Sequence, residues 1–342
     1  MLHGHGDDGY RHARPILADF STNVWYGGPP AGLQEYVFSQ WPSVSRYPEV
    51  LAESLATRIA THHGVAPAQV LVSSGTTESI YLVAQAWAGR RSTVLTPTFA
   101  EYEDACRLHG HTLYFLAWKE LDDTSQLASD LVFICNPNNP TGSVLAPGLL
   151  PALLAQNPAT VFVLDEAFIE FTTSIESAVP LLTTFDNLLI MRSLTKAYAI
   201  PGLRLGYVVA SAALVARLSR GKAPWAVNAL AVAAGHYLFE NFAQVQLPLA
   251  QLLADKTALI TQLAQNAGFS ILPSHTHYFL ATTRYGTAAE LKHWLLEQHD
   301  LLIRDANNFR GLTPTHFRIG TRRPADNQLL LTALAEWTAL HA

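Results

Sequence analysis

Lys196 stands in the run Arg192-Ser193-Leu194-Thr195-Lys196-Ala197-Tyr198-Ala199-Ile200-Pro201-Gly202-Leu203-Arg204. The apolar stretch Asn187-Leu188-Leu189-Ile190-Met191 precedes it and reads as a buried strand. Ser193 and Thr195 place hydroxyls three and one residues before the lysine, and Arg204 places a guanidinium eight residues after it. These groups suit a lysine that forms an imine with an aldehyde cofactor, while hydroxyls and an arginine fork grip that cofactor's phosphate. Such a lysine must be partly desolvated to be nucleophilic near neutral pH. The plain alternative is a solvated lysine in a loop, and three further segments weigh against it.

Phe133-Ile134-Cys135-Asn136-Pro137-Asn138-Asn139-Pro140-Thr141-Gly142 reads as an apolar strand entering a turn, where proline forbids helix and asparagine and glycine tolerate unusual backbone angles. Val161-Phe162-Val163-Leu164-Asp165 is a second buried strand, ending in an acid. An aspartate there can pair with a pyridinium nitrogen and keep the ring an electron sink, which is the chemistry of pyridoxal phosphate. Its plain alternative is a helix-capping aspartate. Val70-Leu71-Val72-Ser73-Ser74-Gly75-Thr76-Thr77 leads from strand to helix, so Gly75, Thr76 and Thr77 present N–H groups and hydroxyls to a phosphate at a helix start.

In this order and at these separations, the four segments resemble the fold-type-I pyridoxal-phosphate enzymes, the aspartate aminotransferase superfamily. The resemblance runs through nearly the whole chain. It is closest to the histidinol-phosphate aminotransferase group, and within it to the L-threonine-O-3-phosphate decarboxylases of cobalamin biosynthesis. The finer resemblance is carried by His3-Gly4, Asp19-Phe20-Ser21-Thr22-Asn23, Arg46-Tyr47-Pro48, Thr77-Glu78-Ser79-Ile80, Phe99-Ala100-Glu101-Tyr102, Asp165 to Phe171, Pro224 to Leu230, and Leu302-Ile303-Arg304.

The resemblance implies roles residue by residue. Lys196 carries the cofactor, Asp165 meets its ring nitrogen, Phe99 stacks on the ring and Asn139 bonds its phenolic oxygen. Gly75, Thr76, Thr77, Ser193, Thr195 and Arg204 hold its phosphate. Tyr47 reaches the cofactor phosphate of a neighbouring subunit, which implies a homodimer with a shared active site. Arg318 takes the substrate carboxylate and Arg304 its phosphate, while His3 and Asn23 help enclose substrate. Arg304 and Arg322 could instead be solvated surface arginines. Phe168 departs from the many aminotransferases that place a tyrosine there, so one donor to the phenolic oxygen is missing. That departure favours the decarboxylase branch.

Two functions use these residues. A decarboxylase would turn L-threonine O-3-phosphate into (R)-1-amino-2-propanol O-2-phosphate. An aminotransferase would act on histidinol phosphate or a related amino acid with 2-oxoglutarate. The bond at Cα held perpendicular to the ring is the one that breaks, so the groups gripping carboxylate and phosphate choose between them. A cofactor-binding regulator of another class would need a DNA-binding segment, and residues 1–30 have neither helix-turn-helix patterning nor basic charge.

These groups need a scaffold. The 342 residues are 49% hydrophobic and 14% charged, enough for a large core and for more than one compact domain. A net charge of −5 with no basic stripe excludes a nucleic-acid or membrane-surface partner as the default. Cys106 and Cys135 form no disulfide framework, and residues 1–19 lack an apolar signal core, so a cytoplasmic protein is expected. Gly4-His5-Gly6-Asp7-Asp8-Gly9 matches G-x-G-x-x-G, but no strand precedes it, so it is no dinucleotide site. His3, His5 and His12 lack cysteine or paired-carboxylate partners at ligand spacing, and no metal is expected.

Short apolar strands at Val70–Val72, Ser92–Leu95, Thr112–Phe115, Leu131–Cys135, Val161–Leu164, Asn187–Met191 and Leu205–Val209 alternate with helical stretches. This predicts an α/β layer on a mainly parallel seven-stranded sheet, with the active groups at the strands' carboxyl ends. Leu33–Trp41 and Val50–His63 are predicted helices. A long helical region after Asn228 breaks near Pro248. Ile271 to Ala342 reads as a small α+β unit. The division expected is an N-terminal arm at 1–44 packing with the small domain, a large cofactor-binding domain at 45–240, and a small C-terminal domain at 241–342.

Overall fold

The computed structural model describes residues 8–11, 15–125 and 127–342. His3, His5 and His12 lie outside the described residues. In chain order the elements are β1 (Ala18–Asp19), α1 (Leu33–Ser39), α2 (Glu53–His63), β2 (Val70–Ser73), α3 (Thr76–Ala86), β3 (Arg91–Thr96), α4 (Glu101–Leu108), β4 (Thr112–Ala117), β5 (Leu131–Cys135), α5 (Leu149–Gln156), β6 (Val161–Asp165), β7 (Leu188–Ser193), β8 (Gly206–Ala210), α6 (Ala212–Ser219) and α7 (Ala229–Glu240). They are followed by α8 (Leu249–Leu263), β9 (Phe269–Ile271), β10 (Tyr278–Thr283), α9 (Ala288–His299), β11 (Leu301–Leu302), β12 (Arg304–Asp305), β13 (His316–Gly320) and α10 (Pro324–His341).

Seven strands form one sheet in the order β2-β8-β7-β6-β5-β3-β4. Its strands are parallel except β8, which runs antiparallel to both β2 and β7. Every residue of β5, β7 and β8 is buried, as expected of strands covered on both faces. Their unbroken apolar runs are the sequence form of that burial. β4, at the sheet edge, is only partly covered.

The registers gather the chemistry on one edge. Cys135 pairs with Asp165, Asp165 with Met191, and Ser193 with Gly206. β7 runs to Ser193, two residues past the end predicted from its apolar run, because β8 continues the ladder through Arg192↔Tyr207 and Ser193↔Gly206. Gly206 lies opposite both Ser73 and Ser193. A Cβ there would come within 2.9 Å of the Arg192 carbonyl oxygen and the Thr76 nitrogen, so glycine alone lets these strand ends and α3 converge.

Two predicted helices are shorter than their apolar pattern. α1 stops at Ser39, and a 3-10 turn at Trp41–Ser45 follows with Pro42 in it, since proline cannot donate to the preceding turn. α2 begins at Glu53 behind a left-handed Ala52.

The C-terminal portion holds an antiparallel sheet ordered β12-β13-β10-β9, with Phe279, Phe317, Leu295 and Trp337 in one apolar cluster with α8, α9 and α10 residues. The arm joins it: β1 pairs in parallel with β11, and Phe20 N–H donates to Leu302 O at 2.7 Å while Gly320 N–H donates to Phe20 O at 2.9 Å. Among the described residues no helix is long and apolar enough to cross a membrane.

Candidate active site

A cavity of about 350 Å³ opens at the carboxyl edge of the seven-stranded sheet, between that sheet, the arm and the antiparallel sheet. Of the residues singled out from sequence, Asn23, Thr76, Thr77, Phe99, Asn139, Asp165, Thr195, Lys196, Arg204, Arg304 and Arg318 line it. That size suits a cofactor-sized ligand.

Asp165, at the end of β6, is buried and doubly held. Its Oδ2 accepts from Tyr102 Oη at 2.7 Å and its Oδ1 from Ala167 N–H at 2.9 Å. Burial pushes its pKa up to about 6, against these two bonds and the nearby Lys196, which pull it down. A carboxylate in such a place gains from a cation set against it. Lys196 is half-buried, and its carbonyl accepts from Trp25 N–H at 3.0 Å, which ties the lysine's loop to the arm.

The start of α3 contributes to the lining. Thr76 and Thr77 open that helix, whose unsatisfied N–H groups and dipole favour a phosphate. Gly75 does not line the cavity itself. It has φ +78°, and a Cβ on it would lie 2.6 Å from Arg204 Nη2, so glycine keeps the arginine's approach open. Arg204 takes a left-handed backbone at φ 58°, with Nη1 donating to Pro201 O at 2.8 Å. Ser193 is buried behind the lining and bonds Thr195 Oγ1 at 2.8 Å.

The opposite wall is cationic. Arg304 on β12 and Arg318 on β13 are direct cross-strand partners, and both are buried. Like charges placed opposite one another on a sheet destabilise it. Burial first, and Arg304 second, push the Arg318 guanidinium down to about 9; burial also lowers Arg304. Arg318 Nη1 donates to Asn139 Oδ1 and Nη2 to Ser21 O at 2.6 Å, while its Nε has no partner. Arg304 Nη2 donates to Asn308 Oδ1 at 2.8 Å.

Tyr47 and Arg322 also lie outside this lining. Tyr47 is 83% exposed and packs on Trp225 at a centroid distance of 5.0 Å, away from the cavity of its own chain. Arg322 reaches back to the carbonyls of Asp19 and Val24 and does not line the cavity. Sequence reasoning gave no role to Tyr102, Ser21, Asn308 or Phe309, all of which line it. The only signal for Tyr102 was its place beside Phe99, whose ring it meets edge-on at 5.9 Å. Phe168 presents its ring to the cavity, edge-on to Tyr278 at 4.9 Å, where a tyrosine would offer a hydroxyl.

Residues 19–334 match the family described as aminotransferase class I and II. The chain is 34% identical to the threonine-phosphate decarboxylase of Salmonella typhimurium, covering 93% of this chain and 90% of that protein. It is 31% identical to histidinol-phosphate aminotransferase 1 of Carboxydothermus hydrogenoformans, covering 90% and 89%. The crystal structure of L-threonine-O-3-phosphate decarboxylase from Porphyromonas gingivalis superposes with a TM-score of 0.92 at 38% identity, covering 94% of this chain and all of that one.

Enzymes of this family depend on pyridoxal 5′-phosphate. The residues present fit it: a buried carboxylate, a helix start with two threonines, an arginine and a lysine line the same cavity. Asn23 lines the cavity and is buried, and neither its Oδ1 nor its Nδ2 has a partner. The sheet order, the pocket chemistry and a family match over most of the chain agree: this protein belongs to the class I and II aminotransferase family, with the fold-type-I architecture.

Proposed function

We propose that this protein decarboxylates L-threonine O-3-phosphate to (R)-1-amino-2-propanol O-2-phosphate, a precursor of the cobalamin side chain, as a cytoplasmic homodimer. The observation that carries this is the buried cross-strand pair Arg304 and Arg318 on one wall of the cavity. Two guanidiniums side by side on one wall match a ligand that carries two anions. A phosphorylated α-amino acid brings one carboxylate and one phosphate. The likeness to two threonine-phosphate decarboxylases supports the same substrate.

Pyridoxal 5′-phosphate supplies an electron sink for the pair released when a bond at the substrate's Cα breaks. The protein's part is orientation. Arg318, steadied by Asn139 and Ser21, grips the carboxylate. Arg304, steadied by Asn308, grips the phosphate. With both ends fixed, these two arginines would set which bond at Cα is presented for cleavage. Phe99, Phe168 and Phe309 supply apolar wall that keeps water out. After CO2 leaves, Lys196 or a neighbouring acid returns a proton at that carbon. Asp165 would hold the cofactor's ring nitrogen, and Tyr102 holds Asp165 in place. Tyr47, exposed on its own chain, extends into the second subunit's site.

Incubating the holoenzyme with O-phospho-L-threonine while following CO2 and ketoacid together tests this. CO2 without matching ketoacid is expected. Ketoacid without CO2 would make the protein an aminotransferase, the reading that the likeness to histidinol-phosphate aminotransferases keeps open. Arg304→Ala should cost the phosphorylated substrate about ten- to a hundredfold more in kcat/KM than free threonine, the size of a lost charge-assisted bond.

A further inference from the structure

The chain between β12 and β13 contributes to the wall of the cavity. Asn308 and Phe309 line the cavity, and the next residue, Arg310, turns outward. Arg310 Nε and Nη2 donate to Glu103 Oε2 and Oε1 at 2.9 and 2.6 Å. Its guanidinium carbon also lies 4.0 Å from the centroid of the Phe115 ring on β4. Glu103 belongs to α4, whose Glu101 and Tyr102 line the same cavity. On both sides of the bridge, therefore, the paired residue directly follows two wall residues.

The bridge connects inward to the phosphate-binding arginine. Arg304 bonds the Asn308 side chain at 2.8 Å, and its guanidinium carbon lies 5.4 Å from the centroid of the Phe309 ring. A continuous path of contacts thus runs from α4 through Glu103 and Arg310 to Asn308, Phe309 and Arg304. The acceptor is buried, with 7% of the Glu103 side chain exposed, while 43% of the Arg310 side chain is exposed. Arg107 also bonds Glu103 Oε1, at 2.8 Å from Nε, but it lies on the same helix and spans nothing.

We propose that Arg310 is a positioning residue: its fork on Glu103 fixes where Arg304 presents its guanidinium, and so sets how well the enzyme holds the phosphate end of its substrate. This rests on the assignment of Arg304 to that phosphate. The Arg310 side chain is half-exposed, and Glu103 keeps its Arg107 bond when Arg310 is removed, which limits the cost to stability. A displacement of about 1 Å at a binding group can cost up to about a hundredfold in rate or affinity. The bridge should therefore show itself in substrate handling far more than in melting.

The test compares R310Q, R310K, R107Q and R304A holoenzymes with O-phospho-L-threonine and with L-threonine. It reads KM and kcat, and also the rise in Tm that each ligand produces. R310Q should raise KM for O-phospho-L-threonine about ten- to a hundredfold, shrink that ligand's Tm shift, and leave kcat and both L-threonine readings near wild type. R310K, keeping charge but losing the fork, should recover part of the loss. R107Q, which removes a bond to the same carboxylate without breaking the bridge, should match wild type. The proposal is overturned if R310Q harms both substrates equally, if R107Q reproduces its effect, or if R310Q leaves KM unchanged while R304A loses the phosphorylated substrate selectively. An R304A variant that loses both substrates equally sinks the assignment of Arg304, and this proposal with it.

Discussion

At the scale of single residues, burial sets the chemistry. Lys196 is the lysine that lines the cavity, whereas Lys222 is fully buried and held by both oxygens of Glu78 at 2.8 Å. Borohydride treatment of the holoenzyme should therefore trap the cofactor on Lys196, and Lys196→Ala should abolish both the adduct and the visible absorbance. An adduct on Lys222 would show the site to be misassigned. Asp165 gives a second expectation, in the cofactor-free protein. Its pKa rises from an ordinary 3.8 to about 6, chiefly through burial. An acid whose pKa rises on folding holds its proton more tightly when folded. Its contribution is thus intact below about pH 3.8 and is lost as pH rises through about 6. His63 and His277, both pushed down to about 3 by burial, act oppositely and cost stability as pH falls below 6.5. Comparing Tm of wild type with Asp165→Asn across this range separates the two. Between about pH 4 and 6 the Tm of Asp165→Asn should rise more steeply with pH than that of wild type, and identical slopes would refute the assignment.

At the scale of elements, legibility followed the range of the interactions. The seven strands were readable because central strands buried on both faces must be apolar along their length. The placing of Asp165, Asn139 and Lys196 at their carboxyl ends followed from the α/β pattern. What could not be read was which elements meet across the sheet. Tyr102 reaches Asp165 because β5 lies between β3 and β6, so α4, which follows β3, packs close to the end of β6. Nothing in local periodicity encodes that order. The Arg310–Glu103 bridge joins residues 207 positions apart, and each alone reads as an ordinary surface charge. Strand ends were misjudged for a related reason. Arg192 and Ser193 are polar, yet pairing with β8 carries them into the ladder.

At the scale of the whole molecule, the surface bears on assembly. Tyr47 and Trp225 pack together, rings tilted, while 83% and 46% exposed. Phe38 and Trp41 are also exposed, at 58% and 59%. With the role proposed for Tyr47, a homodimer in which it enters the second site is expected. Light scattering at assay concentration checks it, and a fully active monomer would contradict it. Within one subunit, a single guanidinium joins three parts of the chain: Arg318 projects from β13, bonds Ser21 of the arm, and bonds Asn139 of the turn after β5. Thermodynamic linkage then requires reciprocity. Whatever factor the docked arm adds to carboxylate affinity, a bound carboxylate must add to the docking of the arm. Occupancy of the site and order in the arm are two readings of one coupling free energy.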